Sequence, residues 1–203
     1  MIRVTLIGMG CGPRTVTAEG MKAIEEAWLI IGSKRMLALL PDTVDGKRVC
    51  EHRSEAQSRI IGEAQAEKIA VLYSGDTGLY SGAPALYDML TLQGMEVVII
   101  PGISVVSYFA ARLGRSWGDW EIISCHGRGG DVFANWDKRR SLFILTSDGD
   151  EALLLCRRAA ELYCTVTIGE RLGYDDERIA VFRGGAVPDH TPDKLNVLLV
   201  ERL

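Results

Sequence analysis

Ile69-Ala70-Val71-Leu72-Tyr73-Ser74-Gly75-Asp76-Thr77-Gly78-Leu79-Tyr80-Ser81-Gly82 runs from an unbroken apolar stretch into glycines that hold a carboxylate and several hydroxyls between them. A short apolar run followed by glycine predicts a buried strand. Glycine at its carboxyl end lets backbone approach a ligand closely, at the edge where open α/β sheets bind ligands. The arrangement recurs twice. Residues 2–7 lead into Gly8-Met9-Gly10-Cys11-Gly12, and residues 96–100 lead into Pro101-Gly102-Ile103-Ser104. Three such junctions predict a small-molecule site.

Working outward, Thr17 is placed to cap a helix whose apolar positions Met21, Ile24 and Trp28 follow helical spacing. Residues 27–31 predict a strand, 34–40 a helix ended before Pro41, and 48–50 a strand. Ser54-Glu55-Ala56-Gln57 carries the S-x-x-Q capping-box pattern and opens a helix to about residue 67. Residues 84–93, with proline in the first turn, and 104–112 predict two more helices. Strands alternating with helices imply a parallel, doubly wound sheet. Leu113-Gly114-Arg115-Ser116-Trp117-Gly118 breaks the periodicity, and its tryptophan predicts a packed connection. Beyond it, strands are expected at 121–124, 141–145, 165–168, 179–183 and 195–201, with a helix at 150–162. No helix-length segment separates the last three strands, so part of this sheet should be antiparallel. The expectation is a two-domain α/β protein, 1–113 and 119–203, the second with a mixed sheet.

The 203 residues are 47% hydrophobic and 25% charged, which is ordinary globular composition. The longest apolar runs, such as Val97-Val98-Ile99-Ile100, fall far short of the roughly 18 residues that span a bilayer. The start of the chain enters a strand at once without signal-peptide features, so a cytoplasmic protein with no membrane association is expected. Five scattered cysteines without C-x-x-C spacing support neither a disulfide framework nor a metal site. A net charge of −4 argues against nucleic acid as a partner.

The first loop invites a dinucleotide reading. That motif needs glycine at position 13, where Pro13 stands, and an acid about 20 residues on, where Ile30-Ile31-Gly32-Ser33 stands. No Gly-Lys-Ser/Thr follows, which excludes a P-loop. A tight turn without a ligand remains open for this loop alone. In the second loop, Asp76 could bond a ligand ribose or amine, or merely cap the next helix.

These three loops in this order, followed by Cys125-His126-Gly127-Arg128 and Gly169-Glu170-Arg171-Leu172-Gly173-Tyr174, resemble the tetrapyrrole methylases over essentially the whole chain. Gly32-Ser33-Lys34-Arg35-Met36-Leu37, the Ser-x-His-Gly-Arg segment and Glu-Arg-Leu-Gly-Tyr-x-Asp-Glu-Arg-Ile are similar to the precorrin carbon-5 methyltransferase subgroup, the CbiE type. The resemblance implies S-adenosylmethionine as cofactor, held in the cleft between two α/β domains and leaving as S-adenosylhomocysteine. It places cofactor contacts at Gly75, Asp76, Leu79, Ser104, Val105, Thr146 and Leu172. Where relatives commonly read Gly-x-Gly-Pro-Gly, this chain has Cys11 in the proline's place.

A sulfonium methyl is already activated, so the protein's work is expected to be alignment, with the accepting carbon held about 3–3.5 Å from the methyl. The implied substrate is carbon 5 of precorrin-7 or its cobalt form. Its many carboxylates call for arginine forks and ammonium groups. Arg128 is the first candidate, followed by Lys34, Arg35 and Arg14, with backbone contact at Gly10. His126 is a candidate base, or a hydrogen-bonding group for a carboxylate or the loop backbone. His52 and His190 lack comparable surroundings, and no metal is expected. Tyr80, Tyr108 and Trp117 read as core or as lining residues. The resemblance further implies a homodimer and a separate carbon-15 methyltransferase and decarboxylase partner of the CbiT type. The alternatives are methylation at another ring position, of uroporphyrinogen or of a nucleotide, or a non-catalytic tetrapyrrole-binding subunit.

Overall fold

The computed structural model describes residues 2–126, 131–134, 136–137 and 139–202. The chain divides into two units, 1–105 and 106–203. In the first unit β1 (Arg3–Gly8), α1 (Ala18–Glu25), β2 (Leu29–Gly32), α2 (Lys34–Leu37), β3 (Lys47–Cys50), α3 (Ser54–Glu63), β4 (Lys68–Tyr73), α4 (Ala83–Leu92) and β5 (Glu96–Ile100) alternate along the chain. The sheet order is β3-β2-β4-β1-β5, and every pairing is parallel. Alternate side chains serve opposite faces. Val4, Leu6, Leu29, Ile31, Ile69 and Val71 pack on Ile61 of α3 and on Leu86 and Leu90 of α4. Ile7, Ile30, Ala70 and Leu72 pack on Ile24 of α1 and Met36 of α2. With helices on both faces, the central strands read as continuous apolar runs, and each fully buried aliphatic side chain contributes about 1.5–3 kcal/mol.

Helix starts separate local from tertiary control. Thr17 caps α1, its hydroxyl accepting from the Gly20 N–H at 3.0 Å. The helix then stops at Glu25, so Trp28 falls outside it and is 72% exposed. The capping box expected at Ser54 does not form. The residue preceding α3, Arg53, makes no side-chain cap, and the Ser54 hydroxyl donates to the Gly82 carbonyl at 3.3 Å instead. Gln57 is buried, donating to the Glu51 carbonyl at 3.0 Å and accepting from the Tyr73 hydroxyl at 3.3 Å. Partners distant in sequence outcompete the local cap, and α3 ends at Glu63, before the expected residue 67.

The second unit contains α5 (Val105–Leu113, all but its first residue), β6 (Glu121–Ser124), β7 (Leu142–Leu145), α6 (Gly149–Glu161), β8 (Cys164–Glu170), β9 (Arg178–Phe182) and β10 (Asn196–Arg202). The division point groups α5 with this unit, whereas the sequence reading ends the first domain at residue 113. Aromatic packing accounts for the grouping. Phe109 is fully buried 6.1 Å from Phe143, ring centre to ring centre, and Trp120 stacks on Phe143 at 5.8 Å. Arg112 and Arg115 then reach Glu177 and Glu201, each at 2.6 Å. Trp120, not the 44% exposed Trp117, is the packed tryptophan of this connection. The sheet order is β6-β7-β10-β8-β9, with β6 and β7 parallel and the other pairings antiparallel, the mixed sheet expected. Among the described residues no helix is long and apolar enough to cross a membrane.

Candidate functional site

β4, β1 and β5 are parallel neighbours, so their carboxyl ends deliver the three glycine loops side by side. Gly10 and Gly75 exchange backbone hydrogen bonds, Gly10 N to Gly75 O at 3.1 Å and Gly75 N to Gly10 O at 2.8 Å. A Cβ on Gly8 would lie 2.4 Å from the Gly102 nitrogen and 2.8 Å from the Gly75 oxygen; one on Gly102 would lie 2.2 Å from that oxygen. Three stretches of bare backbone therefore touch along a seam that admits no side chain. At Gly75, with φ +69°, a Cβ would meet nothing within 4 Å, so its outward side is open to a ligand.

Each loop is braced. Beside Cys11, Thr15 holds the first turn: its hydroxyl accepts from the Gly12 N–H at 2.9 Å and donates to the Gly12 carbonyl at 2.6 Å. Asp76 does not cap α4, whose preceding residue is Gly82; its Oδ1 accepts from the Gly78 N–H at 2.8 Å, fixing the carboxylate within its own loop. Leu79 is half-buried, and Tyr80 is 46% exposed with φ 49°, a left-handed conformation that costs a non-glycine residue about 1–2 kcal/mol. Ser104 precedes α5 and Val105 opens it, both half-buried.

The basic candidates differ in setting. Arg35 reaches from α2 to the end of β4, its Nη2 donating to Ser74 Oγ at 2.7 Å. Lys34 and Arg14 are exposed. Arg128 lies outside the described residues.

In the second unit the register aligns Ser124 with Leu145, Leu145 with Val197, and Asn196 with Glu170. His126, Thr146 and Leu172 therefore follow strand ends at one edge of this sheet. The Thr146 hydroxyl is buried and lies 2.8 Å from Asn196 Oδ1, and Asn196 Nδ2 donates to the Asp193 and Asp148 carbonyls at 2.8 and 3.2 Å. That hydroxyl latches the end of β7 to the start of β10. Leu172 is 5% exposed, its side chain directed inward toward Gly169. His126 is exposed, with Nδ1 3.3 Å from Ser124 Oγ. Burial, helped by Glu151, pushes the neighbouring Cys125 thiol up to about 11, so it stays protonated and is no nucleophile at neutral pH. The charged residues of 170–178 hold their own loop. Glu170 accepts from the Asp193 N–H at 2.7 Å and from Arg178 at 3.1 Å, Glu177 accepts from the Gly173 N–H at 2.8 Å, and Arg171 pairs with Asp176 at 2.6 Å. No group of metal-ligating side chains occurs among the described residues.

Sequence reasoning missed Ser74, Thr15 and Asn196. Thr15 stands three residues after Gly12 and Asn196 opens an apolar strand, which are local signals. The partner of Ser74 is 39 residues away and leaves none.

The model of the family "Tetrapyrrole (Corrin/Porphyrin) Methylases" matches residues 3–188. A probable cobalt-precorrin-7 C(5)-methyltransferase of Methanocaldococcus jannaschii is 28% identical over 188 residues, 88% of this chain and 88% of that one. A probable cobalt-factor III C(17)-methyltransferase of Methanothermobacter thermautotrophicus is 29% identical over 130 residues, 61% of this chain; the match spans only 36% of that protein's length. The solved structure of a cobalamin-biosynthesis precorrin-6Y methylase from Archaeoglobus fulgidus has the same fold, with TM-score 0.76 at 23% identity over 98% of this chain and 97% of that one. The chain belongs to the tetrapyrrole methylases, methyltransferases that take their methyl group from S-adenosylmethionine.

Proposed function

We propose that the protein methylates carbon 5 of precorrin-7 or its cobalt form in cobalamin biosynthesis. The ring position is supported by identity over near full length: relatives named for carbon 5 are 28% and 29% identical over 88% and 87% of this chain, against 26% for a precorrin-3B C(17)-methyltransferase that aligns over 97% of it.

The residues present fit S-adenosylmethionine, because bare backbone at the seam, an open outward side at Gly75 and a braced carboxylate suit a ligand with a ribose and polar ends. Its proposed contacts are Gly75, Asp76, Leu79, Ser104 and Val105, with Thr146 and Leu172 from the second unit. When bound, it supplies a methyl group on a cationic sulfur that needs no protein nucleophile. The chain's task is then to orient. Asp76, held by the Gly78 N–H, aims its carboxylate at ribose hydroxyls, and the interlocked backbones at Gly8, Gly75 and Gly102 keep that aim fixed. Arg14, Lys34, Arg35 and Arg128, with backbone at Gly10, receive the substrate's carboxylates. His126, held beside Ser124, receives the proton released by the alkylated ring. The resemblance to the carbon-5 subgroup also supports a cytoplasmic homodimer that works with a separate carbon-15 methyltransferase and decarboxylase.

Incubation with methyl-labelled S-adenosylmethionine and cobalt-precorrin-7, followed by NMR of the product, is expected to place the label on carbon 5. Label on another ring carbon alone would refute the position. Bound but unconverted tetrapyrrole would favour a binding subunit.

A further inference from the structure

α3 presents Ser54, Gln57, Ser58 and Ile61 on one face, the i, i+3, i+4, i+7 stripe that an amphipathic helix fills with apolar side chains. Here three of the four are polar, and Gln57 and Ser58 are buried, 1% and 7% exposed. Their partners all lie on the β4–loop–α4 segment that carries Asp76. The Ser54 hydroxyl donates to the Gly82 carbonyl at 3.3 Å, Gln57 Oε1 accepts from the Tyr73 hydroxyl at 3.3 Å, and Ser58 Oγ accepts from Gln93 Nε2 at 3.0 Å. Tyr73 ends β4 and Gly82 stands just before α4, so two of these bonds hold the two ends of loop 74–82. The ends also meet each other, since a Cβ on Gly82 would lie 3.7 Å from Tyr73 Cε1. Gln57 is fixed in turn by its Nε2, which donates to the Glu51 carbonyl at 3.0 Å. Burial raises the Tyr73 hydroxyl above its ordinary value, so it remains a donor. Exchanging both members of a buried neutral pair for apolar side chains of similar shape is nearly neutral for stability. What the pair adds is direction: a hydrogen bond holds the Tyr73 ring at one angle and depth, whereas apolar packing tolerates a slide.

We propose that Tyr73 and Gln57 are positioning residues that set the neck of loop 74–82, so that the Asp76 carboxylate meets the ribose of S-adenosylmethionine. The inference rests on the cofactor placement proposed above and deepens it by naming the buried side chains that hold the loop. Both act through Asp76, which follows Tyr73 by three residues.

The test compares Tyr73→Phe, Gln57→Met and their combination for S-adenosylhomocysteine affinity, by calorimetric titration, and for melting temperature. Each single substitution leaves a buried polar partner unpaired and should lower the melting temperature. In the combination the Tyr73–Gln57 bond is absent from both sides, and the melting temperature should recover toward wild type. Affinity should not recover. It is expected to fall about 10-fold in Tyr73→Phe and to stay reduced in the combination, because a neck held by apolar contacts alone no longer aims Asp76. A structural role alone would bring affinity back together with melting temperature. On an Asp76→Ala background, Tyr73→Phe should cause little further loss. Unchanged affinity in Asp76→Ala would overturn the cofactor placement and this inference with it. Weakened affinity in Asp76→Ala, beside wild-type affinity in Tyr73→Phe or in the combination, would overturn this inference alone.

Discussion

Replacing Gly102 with alanine tests the three-loop seam directly. The new methyl carbon would sit 2.2 Å from the Gly75 carbonyl oxygen and 2.7 Å from the Gly8 carbonyl carbon and oxygen, where real contacts stay beyond 3.0 Å. All of these obstructing atoms are backbone, so no side chain can swing aside. Relief requires the second or third loop to retreat by about 1 Å, a displacement able to reduce methyl transfer about 100-fold. The overpacking should cost about 1–3 kcal/mol in urea denaturation. Gly94→Ala is the matched control. It forces alanine into φ +75° just past α4, where a Cβ meets nothing within 4 Å, and should cost about 1 kcal/mol through backbone strain alone. Calorimetric titration with S-adenosylhomocysteine separates the two: Gly102→Ala should lose most of its affinity and Gly94→Ala should keep it. If Gly102→Ala bound S-adenosylhomocysteine like wild type, the seam would not be the cofactor cradle.

In the folded protein, exposed Cys50 should react with a thiol reagent. Cys156, pushed up to about 12 by burial, and Cys125, up to about 11, should react only on unfolding, and rapid labelling of all of them would contradict their packing. Two Arg115 N–H groups at 2.6 Å, with the Ser141 hydroxyl at 3.1 Å, hold the Glu201 carboxyl below its usual range. That stabilisation is complete above the ordinary carboxylate value and fades as pH falls through the lowered folded one. Glu201→Gln, discounted for solvent screening of a partly exposed pair, should therefore cost about 1 kcal/mol at neutral pH and progressively less in acid, and a pH-independent difference between variant and wild type would refute the assignment.

The parts of the fold legible in the sequence share a physical reason. β1, β2 and β4 are covered on both faces, so they read as apolar runs, and Gly8 at the end of β1 and Gly75 just beyond β4 follow from three backbones meeting at one edge. Thr17 was legible because its cap is made three residues away. The capping box at Ser54 misled because Gln57 found the Tyr73 hydroxyl and the Glu51 carbonyl, partners set by the tertiary fold. Grouping α5 with the second unit depends on Phe109 meeting Phe143, a pairing that no local pattern announces. The site divides in the same way. Glycine loops and Asp76 declare themselves locally, whereas Thr146 with Asn196 and Arg35 with Ser74 meet across 50 and 39 residues.

The position of β10 has a consequence for how the second unit comes into being. It is the last strand in chain order, yet it lies in the middle of its sheet, hydrogen-bonded to β7 on one side and β8 on the other. Until residues 196–202 leave the ribosome, β6 with β7 and β8 with β9 are two separate ribbons, each presenting a raw edge where β10 belongs. The sheet of the second unit is therefore completed only when β10 inserts between the two ribbons and pairs along both of their inner edges.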